Sequence, residues 1–399
     1  MRANKLHHGG RALVGQQADR RSSSKVSLER TRQARAKVRS SVPDEGSGRE
    51  LRRTGVTAIT STHGRHLRSS RRPRRRAALI TARGAATFTA LQRARLEQAA
   101  ESVFHARRLP LGTAELACLA EGASVLAFTP RSVPTLGRET IARLPSSLRG
   151  IAVFATGTDF VDVEALEERG IALANLPDYS AISVAEHTLG LLLTLSRRLH
   201  VSRDRVLGRV PRETSVRGFE LAGKTIGIVG LGRIGGRVAC LAEALGMHVL
   251  AADPRLSGGG PLPAHGLHEL LGASDVVSLH LPRRYGQGPL LRAGELGAMK
   301  RGALLVNVSR AALVDEAAVV AALASGHLRG YALDDHLTAR EEAERLIGEG
   351  RIVESGHTAW YSNEALARGL EDWVENVVAL VRGTPRNLVA DGMEMAASA

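Results

Sequence analysis

From Ala77 onward, short apolar runs alternate with stretches of helical spacing, a rhythm that predicts an α/β fold. Ala77–Thr81, Val125–Phe128, Gly150–Phe154 and Ile171–Asn175 have strand length and are bounded by turn residues. Ala90–Val103 and Val163–Arg169 carry the three-to-four-residue apolar spacing of helices between them. Ser183 is placed to cap a long helix that runs through Val184–His187 into Leu189–Leu199. After a polar stretch a second set of strands follows: Lys224–Val229, Met247–Ala252, Val276–Leu279 and Ala303–Val306. A last helix is expected over Glu364–Val381. Strands alternating with helices imply parallel sheets.

Residues 1–76 break this rhythm. They are rich in Arg, Ser and Gly and end in Arg71-Arg72-Pro73-Arg74-Arg75-Arg76. Such a segment buries too little apolar surface to offset its ordering entropy, so a disordered basic tail is expected. The chain's formal charge of +15 would by itself suggest a nucleic-acid or membrane partner. However, residues 1–76 hold 21 Lys and Arg against 5 Asp and Glu, leaving 34 basic and 35 acidic residues elsewhere. The surplus belongs to the tail. The tail reads as passive or as the product of an upstream start, with a nucleic-acid or targeting arm as the alternatives. No nucleic-acid partner is inferred for the body. No apolar run is long enough to span a bilayer, and no secretory core segment appears. The two cysteines, Cys118 and Cys240, fit no metal or redox spacing and are expected in the core. A soluble cytoplasmic protein without a metal is the expectation.

The strongest local signal is Thr225–Val229 followed by Gly230-Leu231-Gly232-Arg233-Ile234-Gly235. An apolar strand runs straight into GxGxxG, and a helix-forming stretch follows. Such glycines permit a tight turn, close backbone approach to a pyrophosphate and close helix–strand packing. The next strand ends at Asp253, 23 residues after Gly230, where a carboxylate can accept ribose hydroxyls. The order points to NAD, although Arg255 could instead pair with the extra phosphate of NADP.

Further pieces are Thr156-Gly157-Thr158-Asp159-Phe160-Val161-Asp162, Asn175-Leu176-Pro177-Asp178-Tyr179-Ser180, and Ser183-Val184-Ala185-Glu186-His187. Later come Asn307-Val308-Ser309-Arg310, Leu313-Val314-Asp315-Glu316, Gly330–Asp334 and Gly356-His357-Thr358-Ala359-Trp360-Tyr361. In this order the chain from about Ala77 to Leu388 resembles the D-isomer-specific 2-hydroxyacid dehydrogenases. The resemblance implies two Rossmann-like, doubly wound parallel-sheet domains with the active site in the cleft between them. Residues 77–180, completed by 357–388, would form the substrate domain, and 181–356 the NAD-binding domain. The long helix after Ser183 would lie at a homodimer interface.

The chemistry implied is hydride transfer between NAD(H) and C2 of a small 2-hydroxy or 2-oxo acid. An arginine suits the substrate carboxylate and carbonyl, because its planar fork stays charged. A histidine suits the proton transfer. The resemblance places these at Arg310 and His357. It also assigns Thr156, Gly157 and Thr158 to the substrate carboxylate, and Asp334 to the nicotinamide end of the cofactor. His187 is expected to pack or hydrogen-bond on its helix. Trp360 and Tyr361, beside His357, suggest room for an apolar substituent.

One departure matters. The family supplies a glutamate for the histidine from a Glu-Pro pair downstream of the arginine; the corresponding count reaches Ala339, and no Glu-Pro follows. Glu341 or Glu342 are the nearby candidates, and neither can be assigned. The expectation is a reduction optimum at lower pH than in ordinary members, or slow turnover. The alternative function is a catalytically weakened NAD(H)-sensing binding protein on the same fold.

Overall fold

The apolar runs become two parallel sheets. The computed structural model describes residues 75–255, 265–283, 287–338, 340–390 and 393–394. The tail expected over 1–76 therefore lies, except for Arg75 and Arg76, outside the described residues. In the first lobe β1 (Arg76–Thr81), β2 (Glu101–Ala106), β3 (Val125–Phe128), β4 (Gly150–Val153) and β5 (Ala172–Ala174) pair in the order β2-β1-β3-β4-β5, all parallel. β3 and β4 are buried along their whole length. They sit between one apolar cluster around Phe128 and Ile151 and another around Trp373 and Leu79.

The second cluster is closed from far along the chain, by the helix Asn363–Arg382. Ser362 caps it by accepting from Ala365 N at 3.1 Å, and Gly383 ends it at φ 79°. Its Trp373 indole donates to Ala152 O of β4 at 3.0 Å, and Asn376 donates to Asn175 O at 2.7 Å. Both groups are buried, so each bond removes a desolvation penalty of about 1–3 kcal/mol that an unpaired partner would carry.

The second lobe holds β6 (Thr225–Val229), β7 (His248–Ala252), β8 (Val276–Leu279), β9 (Ala303–Asn307), β10 (Leu328–Leu333) and β11 (Ile352–Glu354), in the order β11-β10-β9-β8-β6-β7. Every pairing is parallel. One face is covered by the helices Ala181–Arg197 and Arg233–Ala244 through Leu191, Leu192, Val238 and Ala242. The other face packs on Leu270, Leu296, Val319 and Leu346 from four shorter helices. The sheet is doubly wound, and its strand order reverses between β6 and β8. Ligands enter such sheets at the carboxyl ends of the strands beside that reversal.

Several sequence expectations need correction. The run Ala90–Val103 is not one helix: Ala90–Ala99 is helical, Ala100 is extended (φ −147°, ψ 167°), and Glu101–Ala106 is the edge strand β2. β10 and β11 extend the second sheet beyond the strands expected. Ser183 is not a cap. The helix begins at Ala181, and Ser183 lies inside it, with its Oγ 2.8 Å from Ser362 Oγ. That helix ends at Arg197; Arg198 turns left-handed and a separate helix covers Leu199–Val206. Cys118 and Cys240 are exposed rather than in the core, because each falls on the outward face of its helix. No described helix is long and apolar enough to cross a membrane.

Candidate active site

Two of the glycines of 230–235 leave no room for a side chain. Gly230 has φ 92°, and a Cβ there would overlap His280 O; one on Gly235 would overlap Gly230 O. Gly232 is the N-cap of the helix Arg233–Ala244 and supplies no side-chain cap, so the first-turn N–H groups face outward with the positive end of the helix dipole. Arg233 is exposed at that first turn, and Ile234 is half-buried against the sheet. These features fit a dinucleotide pyrophosphate.

Asp253 ends β7 with its side chain only 4% exposed. Its Oδ2 accepts from Leu231 N at 2.8 Å, which ties the glycine loop to the next strand. Arg255 donates to the same carboxylate from its N, Nε and Nη2 at 2.9–3.1 Å. The Arg255 bond and then the backbone donors hold the Asp253 carboxyl well below the usual carboxylate range, at about 2. The carboxylate is therefore ionised at any working pH.

His280, at the end of β8, packs its backbone carbonyl against Gly230. Its Nε2 lies 2.8 Å from Ser278 Oγ, and its Nδ1 is sealed from solvent with no partner among the described residues. Burial lowers its pKa from 6.5 to about 3. Between those values the unfolded chain binds a proton that the native protein refuses, so stability should fall as pH drops from 6.5. The loss is at most about 1.4 kcal/mol per pH unit from this group. Urea unfolding at neutral and mildly acid pH should show a shallower pH dependence in His280→Asn than in the unaltered chain; equal slopes would remove His280 as the cause.

The loop after β4 is held rigid. Thr156 Oγ1 donates to Leu176 O at 2.8 Å, Asn175 Nδ2 donates to Thr156 O at 2.7 Å, and Thr158 O accepts from Val161 N at 2.9 Å. Gly157 has no room for a side chain, because a Cβ would overlap Arg310 Nη2. Arg310 comes from the second lobe, just past β9. Its Nε donates to Asp159 Oδ1 and Oδ2 at 3.0 and 3.1 Å, its Nη2 lies 3.0 Å from Oδ1, and its Nη1 donates to Ser309 O at 2.9 Å. Two of the five guanidinium N–H groups, one on each Nη, are left to face a ligand. Below it the fully buried Asn307 donates to Arg310 O and accepts from Ser309 N, which fixes the turn. Asp159 was not among the residues singled out in the sequence, although it follows Thr158 directly. Only the fold shows that it meets an arginine from the other lobe.

His357 follows β11, two strands from Arg310, with Asp334 between them at the end of β10. Asp334 is 3% exposed, and both its oxygens are engaged by the His357 loop. Oδ1 accepts from Ser355 Oγ (2.7 Å) and Thr358 N (2.8 Å), and Oδ2 accepts from Ala359 N (3.0 Å). His187 reaches the same node, with its Nε2 2.9 Å from Ser355 Oγ. Trp360 Nε1 donates to His357 O at 3.0 Å. Between these anchors His357 takes φ 58°, the left-handed region, and the residue is exposed. Such a conformation costs a non-glycine residue about 1–3 kcal/mol and persists only where the surroundings enforce it.

Glu341 and Glu342 are exposed in the first turn of the helix Arg340–Gly348. Among the described residues no carboxylate bonds the His357 ring. What lies against Gly356 instead is His336, whose Nε2 would be 3.2 Å from a Cβ there.

Asp334 thus has a contact of its own beside the cofactor role inferred for it. Asp334→Asn turns one of its acceptors into a donor aimed at a backbone N–H. If its part is to hold the loop, kcat should fall about tenfold to a hundredfold while the Kd for NADH, read by fluorescence, stays put. A rise in that Kd with kcat preserved would return Asp334 to the nicotinamide.

Arg310, Asp334, His357, Gly230 and Asp253 all stand at the carboxyl edge of one sheet, with Thr156–Thr158 facing Arg310 from the other lobe. Residues 189–359 match the family model for the D-isomer specific 2-hydroxyacid dehydrogenase, NAD binding domain. Over 273 residues the chain is 35% identical to a glycerate dehydrogenase of Methylorubrum extorquens, covering 63% of this chain and 81% of that protein. The chain belongs to the D-isomer-specific 2-hydroxyacid dehydrogenase family. This dehydrogenase is an NAD-dependent 2-hydroxyacid oxidoreductase, and NAD is its cofactor. It is also 35% identical over 264 residues to a D-3-phosphoglycerate dehydrogenase of Mycobacterium leprae, with 64% of this chain aligned but only 49% of that protein. Among solved structures, D-lactate dehydrogenase from Aquifex aeolicus, complexed with NAD and lactic acid, superposes with a TM-score of 0.61 at 29% identity, over 69% of this chain and 86% of that one.

Proposed function

We propose that this dehydrogenase reduces the C2 carbonyl of a small 2-oxo acid to the 2-hydroxy acid, and runs the reverse reaction, with Arg310 and His357 as its catalytic residues. The observation that carries the reading is the Arg310 guanidinium, preset by Asp159 against the bare backbone of Gly157. Its two remaining N–H groups can take the substrate carboxylate and polarise the carbonyl. Thr156 and Thr158 flank that point and hold the loop in place. His357 donates the proton that the reduced oxygen needs and recovers it in the reverse direction. Bound NADH supplies the hydride. The Gly230–Gly235 turn and the helix N-terminus behind it would hold its pyrophosphate, and Asp253 its ribose.

In this reading residues 77–180 with 357–388 form the substrate domain and 181–356 the cofactor domain. The working unit is a homodimer in a cytoplasmic setting. Its support is the exposure of Leu199, Val206 and Leu207 next to the long helix, apolar surface that a second copy would cover.

NADH consumption with glyoxylate, hydroxypyruvate, pyruvate and longer 2-oxo acids, repeated with NADPH, tests the reading. Turnover on at least one of them supports it. Tight NADH binding with no turnover on any favours the second reading, a weakened NAD(H)-sensing protein. That reading has one observation behind it, the absence of a carboxylate on the His357 ring among the described residues.

A further inference from the structure

Four arginines at the opposite end of the strands take no part in the chemistry above. Arg198, Arg217, Arg329 and Arg351 line a cavity of about 380 Å³, in which Glu349 is the single carboxylate. Arg329 is the second residue of β10, and Arg351 immediately precedes β11. The cavity therefore lies at the amino ends of strands whose carboxyl ends carry Asp334 and the His357 loop. The six residues of β10 put about 20 Å between the two places.

An arginine at a helix C-terminus is ordinary, since the dipole favours a cation there. That accounts for Arg198 and for none of the other three. Arg198 sits at φ 52°, ψ 40°, left-handed, and is pinned by bonds from Nε to Ser215 O (3.1 Å) and from Nη2 to Glu349 O (3.0 Å). Arg351 donates from Nη2 to Leu328 O at 2.7 Å, with its Nη1 3.9 Å from Glu349 Oε2. Arg329 lies over the Phe219 ring at 4.5 Å. Arg198 and Arg351 are thereby held in place and Arg329 is stacked, while Arg217 is exposed. Burial, and then the charges of Arg329 and Arg351, push the Arg198 pKa down. One carboxylate against four guanidiniums leaves an excess of three positive charges in one cavity, and the Thr214 and Ser215 residues in its wall add hydroxyl donors. Planar, pre-positioned guanidinium donors match phosphate oxygens better than they match chloride.

We propose that this cavity binds a multiply charged oxyanion, orthophosphate or the phosphate group of a small ester, at a site separate from the NAD and 2-oxo acid cleft. The proposal does not depend on Arg310 or His357 having the roles given above. Acidic side chains of a second copy are the competing occupant.

Calorimetric titration of orthophosphate, and separately of glycerol phosphate, into the full chain tests this at constant ionic strength and saturating NADH. The NADH keeps phosphate off the Gly230–Gly235 turn, and constant ionic strength removes general screening. The unaltered chain should bind one anion per protomer. Arg217→Gln with Arg329→Gln, two side chains that donate to no main-chain carbonyl in the described structure, should weaken binding at least about tenfold while keeping the NADH Kd. Preference for the ester would assign the site to a phosphorylated metabolite, and preference for orthophosphate to the free anion; both support it. Heats no larger than with chloride, or an unchanged Kd in the double variant, would overturn it. So would a double variant that sediments as a smaller oligomer when the unaltered chain ignores phosphate, because the arginines would then belong to a subunit interface.

Discussion

Arg310→Gln should lower kcat/KM for the 2-oxo acid by roughly a thousandfold, the ~4 kcal/mol expected when one partner of a partly buried charge pair is removed. Two effects combine. The substrate carboxylate loses its planar donor, and Asp159, with a side chain only 14% exposed, is left as an unpaired negative charge facing the incoming acid. Arg310→Lys should recover only part of the loss, since a point charge cannot bridge Asp159 and a second carboxylate in one plane. Adding Asp159→Asn to Arg310→Gln should restore some activity by removing the repulsion. Steady-state kinetics of the three variants, with NADH binding as the control, would decide. Loss of NADH affinity equal to the loss of kcat/KM would place Arg310 at the cofactor instead of the substrate.

The second large effect is expected at His357. Asn is the informative replacement, because it tolerates the left-handed backbone that His357 adopts at φ 58°. His357→Asn should cut kcat by about a hundredfold to ten-thousandfold, the usual contribution of a positioned general acid. The loop should survive, since its bonds run through the main chain of Thr358 and Ala359 to Asp334 and from Trp360 to His357 O. Reduction that draws on a protonated imidazole slows as pH rises; the variant should lose that limb of its pH–rate profile. A variant with the same profile shape and a kcat within about threefold of the original would mean the proton comes from elsewhere, with His336 beside Gly356 the first group to examine.

What could be read from the amino-acid string follows from how local each requirement is. Gly230 and Gly235 announce themselves because the turn geometry excludes other residues within a few positions. Asp253 does so because it closes the next strand. The boundary between Ala99 and Glu101 is silent, because the turn uses neither glycine nor proline and the helical spacing runs on into an edge strand. Asp159 and Arg310 lie 151 positions apart, so nothing nearby in sequence marks them as partners. The same holds for Ser183 and Ser362, and for the arginines from 198 to 351. The altered stretch after Asp334 was visible as the loss of a Glu-Pro pair. Its structural outcome, a short helix packed on the sheet through Ala343 and Leu346 with His336 against Gly356, depends on packing that spacing cannot express.

The contact between Asp159 and Arg310 joins one lobe to the other, so the group that presets the guanidinium is also a clasp across the mouth of the cleft. The resting protein is thereby drawn toward its working posture before anything arrives, and the arriving acid has little ordering left to impose. Any separation of the two lobes has to part that charge pair. Opening, and with it product release, is then expected to weigh on turnover alongside the chemistry.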